Sequence, residues 1–317
     1  MSEVLVAYVS HIQHFNVHDG TGLRTTIFFQ GCGLRCAWCQ NPELLSQEPV
    51  MMFQPSICTQ CMACVDACPV KALRWVNGHF SYEKTRCIRC GRCEEACYFL
   101  ARSLSSHRMT VDAVFGESIR DERFYRGGGG ITLSGGEPLL HRSFVVALLK
   151  RFHEHQTNVT VETAGFVPWE NIEAVLPYVD TFFYDLKLCT PHLRKTYLGT
   201  SSDRMLENLR RLAGQGAHVV LRIPLIPGIN DTKEEFGKLL AFADGLENLH
   251  EMHILPFHQL GASKYQMIGQ AYSLLHLNPA NEDHIVRCVH MARAHGYRIS
   301  RGGAGFQAEE DSSDVQG

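Results

Sequence analysis

Residues 17–42 read VHDGTGLRTTIFFQGCGLRCAWCQNP, and their reading organises the rest of the chain. Thr25 to Phe29 is a short run of β-branched and aromatic residues closed by a glycine, the pattern of a buried strand. Directly after it come Cys32, Cys36 and Cys39 at a C-x3-C-x2-C spacing. A [4Fe-4S] cubane has four irons, so three thiolates leave one iron open to a substrate, as catalytic zinc sites keep an open position. If a solitary cysteine, Cys189 or Cys288, supplied the fourth ligand, the cluster would only carry electrons.

The chain has 13 cysteines, and eight more of them fall into two further groups. Cys58, Cys61, Cys64 and Cys68 form one, and Cys87, Cys90, Cys93 and Cys97 the other. Both read C-x2-C-x2-C-x3-C, the spacing of bacterial two-cluster ferredoxins, with Pro69 after the first group and Tyr98 after the second. In such runs the fourth cysteine ligates the other cluster. The expected sets are therefore Cys58, Cys61, Cys64 and Cys97 on one [4Fe-4S] cluster, and Cys87, Cys90, Cys93 and Cys68 on the other. Structural zinc also uses thiolates two residues apart, but it seldom needs a run of four repeated twice. Cys189 and Cys288 read as small buried apolar residues and receive no role.

At 317 residues the chain has room for one large α/β domain and a small one. A formal charge of −3 argues against a sequence-wide attraction to nucleic acid or an anionic membrane. No apolar run approaches the roughly 20 residues that span a bilayer. The start of the chain lacks the basic-then-apolar pattern of a secretory signal. With so many thiols in metal-binding spacing rather than disulfide frameworks, the expected location is cytoplasmic.

The stretch Val17 to Pro42 resembles the opening of radical S-adenosylmethionine (SAM) enzymes, and more narrowly of the activating enzymes of glycyl radical enzymes. The resemblance implies a [4Fe-4S] cluster on Cys32, Cys36 and Cys39 whose fourth iron is chelated by SAM, with Trp38 near the adenine. A ferredoxin-like insert marks the subset that activates dehydratases, decarboxylases and C–S or C–N lyases. Two positions depart from the family pattern: Thr21 stands where a proline is common, and Gln40 where a histidine often follows the last cysteine. Only the backbone neighbourhood of Gln40 is carried over as a cofactor contact.

Beyond the cysteines, apolar runs alternate with helical patterns, the signature of βα units and a parallel sheet. Strands are expected at Thr25–Phe29, Ile131–Leu133, Val159–Glu162, Thr181–Leu186, Val219–Ile223 and His253–Leu255. Helices are expected near Val111–Arg120, Arg142–His155, Asp203–Ala213, Thr232–Ala243 and Glu282–Ala294. About six strands are too few for a closed eight-stranded barrel, which predicts a partial one. The family resemblance implies the same open (βα)6 TIM-like barrel. It would comprise residues 1–49 and 106–306, with an inserted ferredoxin-like domain at 50–105. The tail 307–317 is polar and acidic and reads as disordered.

Catalytic groups of α/β barrels gather at the C-terminal strand ends. Ser134, Gly135, Gly136, Glu137 and Pro138 follow one strand, and adjacent glycines let a backbone approach a ligand closely. In the family this SGGEP segment holds the methionine amine of SAM, which implies Gly135, Gly136 and Glu137 as cofactor contacts. The Gly127–Gly130 run before it reads as a flexible loop. Glu162 and Thr163 end the next strand, and Asp185 and Lys187 the one after. Paired carboxylates in one mouth need a balancing cation or donor. The resemblance implies a monovalent cation on Glu162, Thr163, Asp185 and the Phe183 carbonyl, with Lys187 at the cofactor carboxylate or ribose. It also implies a ribose contact for His258, a weaker nearby role for Arg222, and a substrate mouth shaped by Asp19, Gly20 and Arg24.

The function so implied is reductive cleavage of SAM to a 5'-deoxyadenosyl radical that abstracts a glycine Cα hydrogen from a partner glycyl radical enzyme. Cys32, Cys36, Cys39 and Lys187 are the implied catalytic residues, and flavodoxin or ferredoxin the implied electron donor. One rival is a multi-cluster electron-transfer protein, which needs no barrel of this size. Another is a radical SAM enzyme that modifies protein side chains, whose auxiliary cysteines usually follow the barrel.

Overall fold

A computed structural model describes residues 4–302, so the 307–317 tail lies outside the described residues. Nine strands form one sheet. In chain order they are β1 (Val6–Asn16), β2 (Arg24–Phe29), β3 (His107–Thr110), β4 (Gly130–Gly135) and β5 (Asn158–Thr163), followed by β6 (Thr181–Asp185), β7 (Val219–Leu225), β8 (Glu251–Pro256) and β9 (Arg298–Arg301). The spatial order is β9-β8-β7-β6-β5-β4-β2-β1-β3. From β2 to β9 every pairing is parallel. β1 runs antiparallel to both β2 and β3, and β3 finishes that edge.

Three strands exceed the sequence expectation, and each lacked the expected pattern. β9, RISR, is short and mostly polar. β1 is irregular, with register shifts between Val9 and His11 and between Gln13 and Asn16, and its exposed His11 and Gln13 dilute the apolar signal. β3, HRMT, has no buried residue and pairs only as an edge strand.

The parallel strands are nearly continuous in their burial because helices cover the outer face. β2 and β4 each have five of six residues buried. The helix Arg142–Glu154 packs Leu148, Leu149 and Phe152 onto the sheet, and Arg204–Gly214 packs Leu209 and Leu212. Sequence reads directly into the helix starts. Thr110 and Thr232 accept the N–H of Ala113 and Glu235 at the first turns of Val111–Ser118 and Lys233–Ala243. Asn281 caps Glu282–Ala294 in the same way.

Between β2 and β3 the chain leaves the sheet and returns. Met51–Phe53 pairs antiparallel with Arg102–Leu104 at the base of this excursion, and a hairpin of Leu73–Val76 and His79–Tyr82 sits within it. The base is sealed to the sheet through Gln30, fully buried at the end of β2. Its amide donates to the carbonyls of Glu43 and Ser46 and its oxygen accepts from Ser105.

The Gly127–Gly130 run is not the free loop expected. Arg24, fully buried, donates to the Gly128 and Ile131 carbonyls and to Thr132, and Gly130 opens β4. Arg24 therefore ties down the start of β4, at the far end of β2 from the cysteines, rather than shaping a mouth.

Candidate active site

The C-terminal ends of six neighbouring strands open into one cavity of ≈ 290 Å³. Cys32, Cys36, Trp38, Cys39 and Gln40 enter from the loop after β2. Gly135 and Gly136 come from β4, Glu162 and Thr163 from β5, Asp185 and Lys187 from β6, Arg222 from β7 and His258 from β8. Cys189 and Cys288 do not line it. Cys288 lies fully buried in the main core.

The cysteine loop is held by backbone bonds to distant segments. Gly31 N–H donates to Leu44, Arg35 to Leu198 and Ala37 to Tyr197, at 2.8–2.9 Å. Leu34 and Trp38 pack with Leu188, Leu198, Ile226 and Phe257 in an apolar cluster of their own. Burial, then the charges of Glu137 and Cys36, pushes the Cys32 thiol up to about 12. Cys36 and Cys39 are raised too, again chiefly by burial. Buried thiols resist ionising unless a cation faces them. That donor set suits iron. The Trp38 indole N–H, buried without a protein partner, adds an unspent donor beside it.

Gly135 and Gly136 are required for a reason beyond the expected one. Gly135 has φ +110, and a Cβ there would lie 2.3 Å from Phe29 N; one on Gly136 would lie 2.2 Å from the Gly31 carbonyl oxygen. The missing Cβ atoms make room for the neighbouring strand, which leaves the opposite side of this backbone on the cavity. Gly136 and Glu137 N–H groups donate to Phe29 and Gly31.

Glu137 itself does not line the cavity. Its carboxylate accepts from Thr163 Oγ1 at 2.8 and 2.9 Å and from the N–H groups of Ala164 and Leu139. Burial raises it to about 7, against those bonds. Its side chain thus braces the β4 turn against β5.

The groups expected to share a monovalent cation already have protein partners. Glu162 faces the Arg222 guanidinium and accepts from Ser134 at 2.5 Å. Burial lifts its carboxyl to about 7, against the pull of Arg222. Asp185 bonds Lys187 Nζ at 2.6 Å, with Arg222 Nε at 3.9 Å, and the Thr163 hydroxyl is turned to Glu137. Burial lowers the Lys187 ammonium, but Asp185 and the cysteine thiols outweigh it and leave it above the usual range.

Sequence reading missed the clasp on the outer side of the loop. Gln40 donates to the carbonyls of Trp38 and His258 and accepts from Gly261 N–H. Lys264 reaches Asn41 and Glu43 at 2.6 and 2.8 Å, and Tyr265 OH bonds the Cys39 carbonyl. Apart from Trp38, these partners lie more than 200 residues apart, and no local pattern announces them.

The other eight cysteines surround two separate cavities in the excursion. Cys58, Cys61, Cys64 and Cys97 line one, and Cys68, Cys87, Cys90 and Cys93 the other. Around Cys68, burial is outweighed by the N–H groups of Leu73, Ala72, Val70 and Lys71, which lower its thiol. Among the described residues no helix is long and apolar enough to cross a membrane.

With the site laid out, the class follows from comparison with known proteins. Residues 87–243 match the radical SAM superfamily, and residues 50–98 match the 4Fe-4S dicluster domain. A radical SAM methyltransferase from Sphaerobacter thermophilus shares the fold, with a TM-score of 0.53, 17% identity, and 88% of this chain against 66% of that one covered. The indoleacetate decarboxylase activating enzyme of Tractidigestivibacter scatoligenes is 38% identical over 306 residues, covering 93% of this chain and 96% of that protein. The isethionate sulfite-lyase activating enzyme of Oleidesulfovibrio alaskensis is 38% identical, with 82% and 86% covered. The 4-hydroxyphenylacetate decarboxylase activating enzyme of Clostridioides difficile is 34% identical, with 89% and 91% covered. The chain belongs to the radical SAM activating enzymes of glycyl radical enzymes.

Proposed function

We propose that Cys32, Cys36 and Cys39 hold a [4Fe-4S] cluster and that SAM binds in the same cavity, on a partial barrel whose open form admits a peptide loop. When bound, reduced cluster and SAM together supply methionine and a 5'-deoxyadenosyl radical, which takes a hydrogen from a glycine Cα of the partner enzyme. The observation that carries the reading is the meeting of the three-cysteine loop with Gly135, Gly136, Asp185 and Lys187 at one set of strand ends.

Each protein group has a defined task. The backbone of Gly135 and Gly136 takes the cofactor amine, and Lys187, held by Asp185, faces its carboxylate. Trp38, the Gln40 backbone and His258 border the nucleoside end. The apolar packing of Leu34, Ile226 and Phe257 keeps water from the reacting carbon. A monovalent cation at Glu162, Thr163 and Asp185 enters only as a replacement for the Arg222 and Lys187 charges, which already balance both carboxylates. The insert carries two further [4Fe-4S] clusters on the crossed cysteine sets, reduced by flavodoxin or ferredoxin. The partner is a decarboxylase, lyase or dehydratase of the glycyl radical type, as the names of the relatives indicate.

The test is anaerobic. Protein reconstituted with iron and sulfide, reduced with dithionite and given SAM yields 5'-deoxyadenosine, and a Cys36→Ala variant yields none. Absence of product from a wild-type preparation with full iron content would overturn the reading.

A further inference from the structure

The insert is built twice, and its two halves differ at one buried position. Cys58, Cys61, Cys64 and Cys68 correspond in order to Cys87, Cys90, Cys93 and Cys97. Left-handed backbone at Gln60, Met62 and Lys71 recurs at Arg89, Gly91 and Leu100. Ala72 N–H reaches Cys68 Sγ at 3.2 Å, and Ala101 N–H reaches Cys97 Sγ at the same distance. The next residue is Leu73 in one half and Arg102 in the other, 2% and 3% exposed. Leu73 lines the cavity of Cys68, Cys87, Cys90 and Cys93; Arg102 lines that of Cys58, Cys61, Cys64 and Cys97.

Arg102 Nε donates to Cys64 Sγ at 3.2 Å, and its guanidinium lies over Phe53 and Phe80 at 4.2 and 4.7 Å. Nη2 is buried without a hydrogen-bond partner. No carboxylate forms an ion pair with Arg102 among the described residues. A buried cation with no acid partner is costly unless another anion faces it, and a thiolate-bound cluster is such an anion. Its twin cavity lacks this feature. There the lining arginine, Arg89, is exposed and paired with Glu48 at 2.6 Å. Cys93, counterpart of Cys64, faces Met51 Sδ at 3.9 Å.

We propose that Arg102 makes the two insert clusters unequal, raising the reduction potential of the one held by Cys58, Cys61, Cys64 and Cys97 above that of its twin. This rests on the two-cluster reading of the insert. A positive hydrogen-bond donor at a ligating sulfur favours the more negative, reduced state. Each cluster core accepts one electron, passing from 2+ to 1+, from a low-potential one-electron donor; no bond forms or breaks and no proton moves. An electron entering the insert therefore comes to rest beside Arg102.

The experiment uses the full chain with Cys32, Cys36 and Cys39 all changed to Ala, so that only the insert binds iron. It is reconstituted anaerobically and titrated with dithionite under EPR. Two reduction steps are expected with eight irons per chain. Adding Arg102→Gln lowers the upper step by at least the ~59 mV of a tenfold change in a one-electron equilibrium and the lower step by less, because the Arg102 charge also reaches Cys93. Arg102→Lys, which keeps the charge, retains most of the upper potential. Leu73→Arg raises the lower step. Eight irons with both midpoints unmoved by Arg102→Gln, or by Leu73→Arg where the Gln variant loses its cluster, would overturn the proposal alone. Fewer than eight irons in the parent would overturn the two-cluster reading and the proposal with it.

Discussion

The two cysteine regions of this molecule are assembled by opposite means. The insert cysteines are placed by a short turn repeated twice, and Cys61 and Cys90 stand exposed at its surface. The three-cysteine loop is placed by segments from far along the chain: Leu198 and Tyr197 hold its backbone, and Gln40, Lys264 and Tyr265 close it from outside. A locally coded site tolerates exposure and can be copied within a chain. A site assembled from six strand ends obtains its dry interior from the whole fold, and its geometry fails when a distant part shifts.

The largest effect that would break this contrast is a pair of cysteine variants. With dithionite as reductant, Cys36→Ala abolishes 5'-deoxyadenosine formation, whereas Cys58→Ala with Cys87→Ala retains it, because chemical reduction bypasses the insert. Equal loss in the second variant would make the insert part of the reacting site.

Next in size is a pair of glycines. Gly136→Ala drives a Cβ into the Gly31 carbonyl and is expected to destabilise by roughly 2–3 kcal/mol, with loss of SAM binding. Gly78→Ala, with φ +81 but nothing within 4 Å of its Cβ, costs about 1 kcal/mol of backbone strain and leaves SAM binding intact. Thermal melts and SAM titrations of both variants read the difference.

Smaller still is the clasp. Gln40→Ala removes two hydrogen bonds between the cysteine loop and the β8 loop and one within the cysteine loop, and weakens SAM binding roughly five- to tenfold, about 1 kcal/mol or slightly more. Glu94→Ala, which removes the exposed pair with His107, changes it less than about twofold.

The smallest effect is a pH dependence. His141 bonds the Gln30 carbonyl at 2.6 Å, and burial lowers its pKa below the usual 6.5. A group depressed in the folded state contributes stability above its unfolded pKa and loses it as pH falls from about 6.5 through the folded value. The wild-type melting temperature should drop over that interval more steeply than that of His141→Gln. Parallel curves would show that His141 carries none of the acid sensitivity.

What the sequence revealed follows the same division. Cysteine spacing and the buried parallel strands were legible because each is a local pattern. The brace made by the Glu137 carboxylate was not legible, because SGGEP gives its residue types but not the Thr163 hydroxyl that binds it. Arg222 was undervalued because its partners, Glu162 and Asp185, sit on other strands. The glycine pair was found for an incomplete reason, since only the register of β2 beside β4 shows which side needs the space.

The base of the insert has a consequence for engineering. Val50 and Ser105 lie side by side, joined by Ser105 N–H to the Val50 carbonyl and Val50 N–H to Ser105 Oγ, both at 2.9 Å. The excursion thus begins and ends at one point, like a cassette in a socket. A chain spliced across that point by a two-residue hairpin turn would keep the register of the nine-stranded sheet. The same socket would accept another insert whose two ends meet at the same spacing.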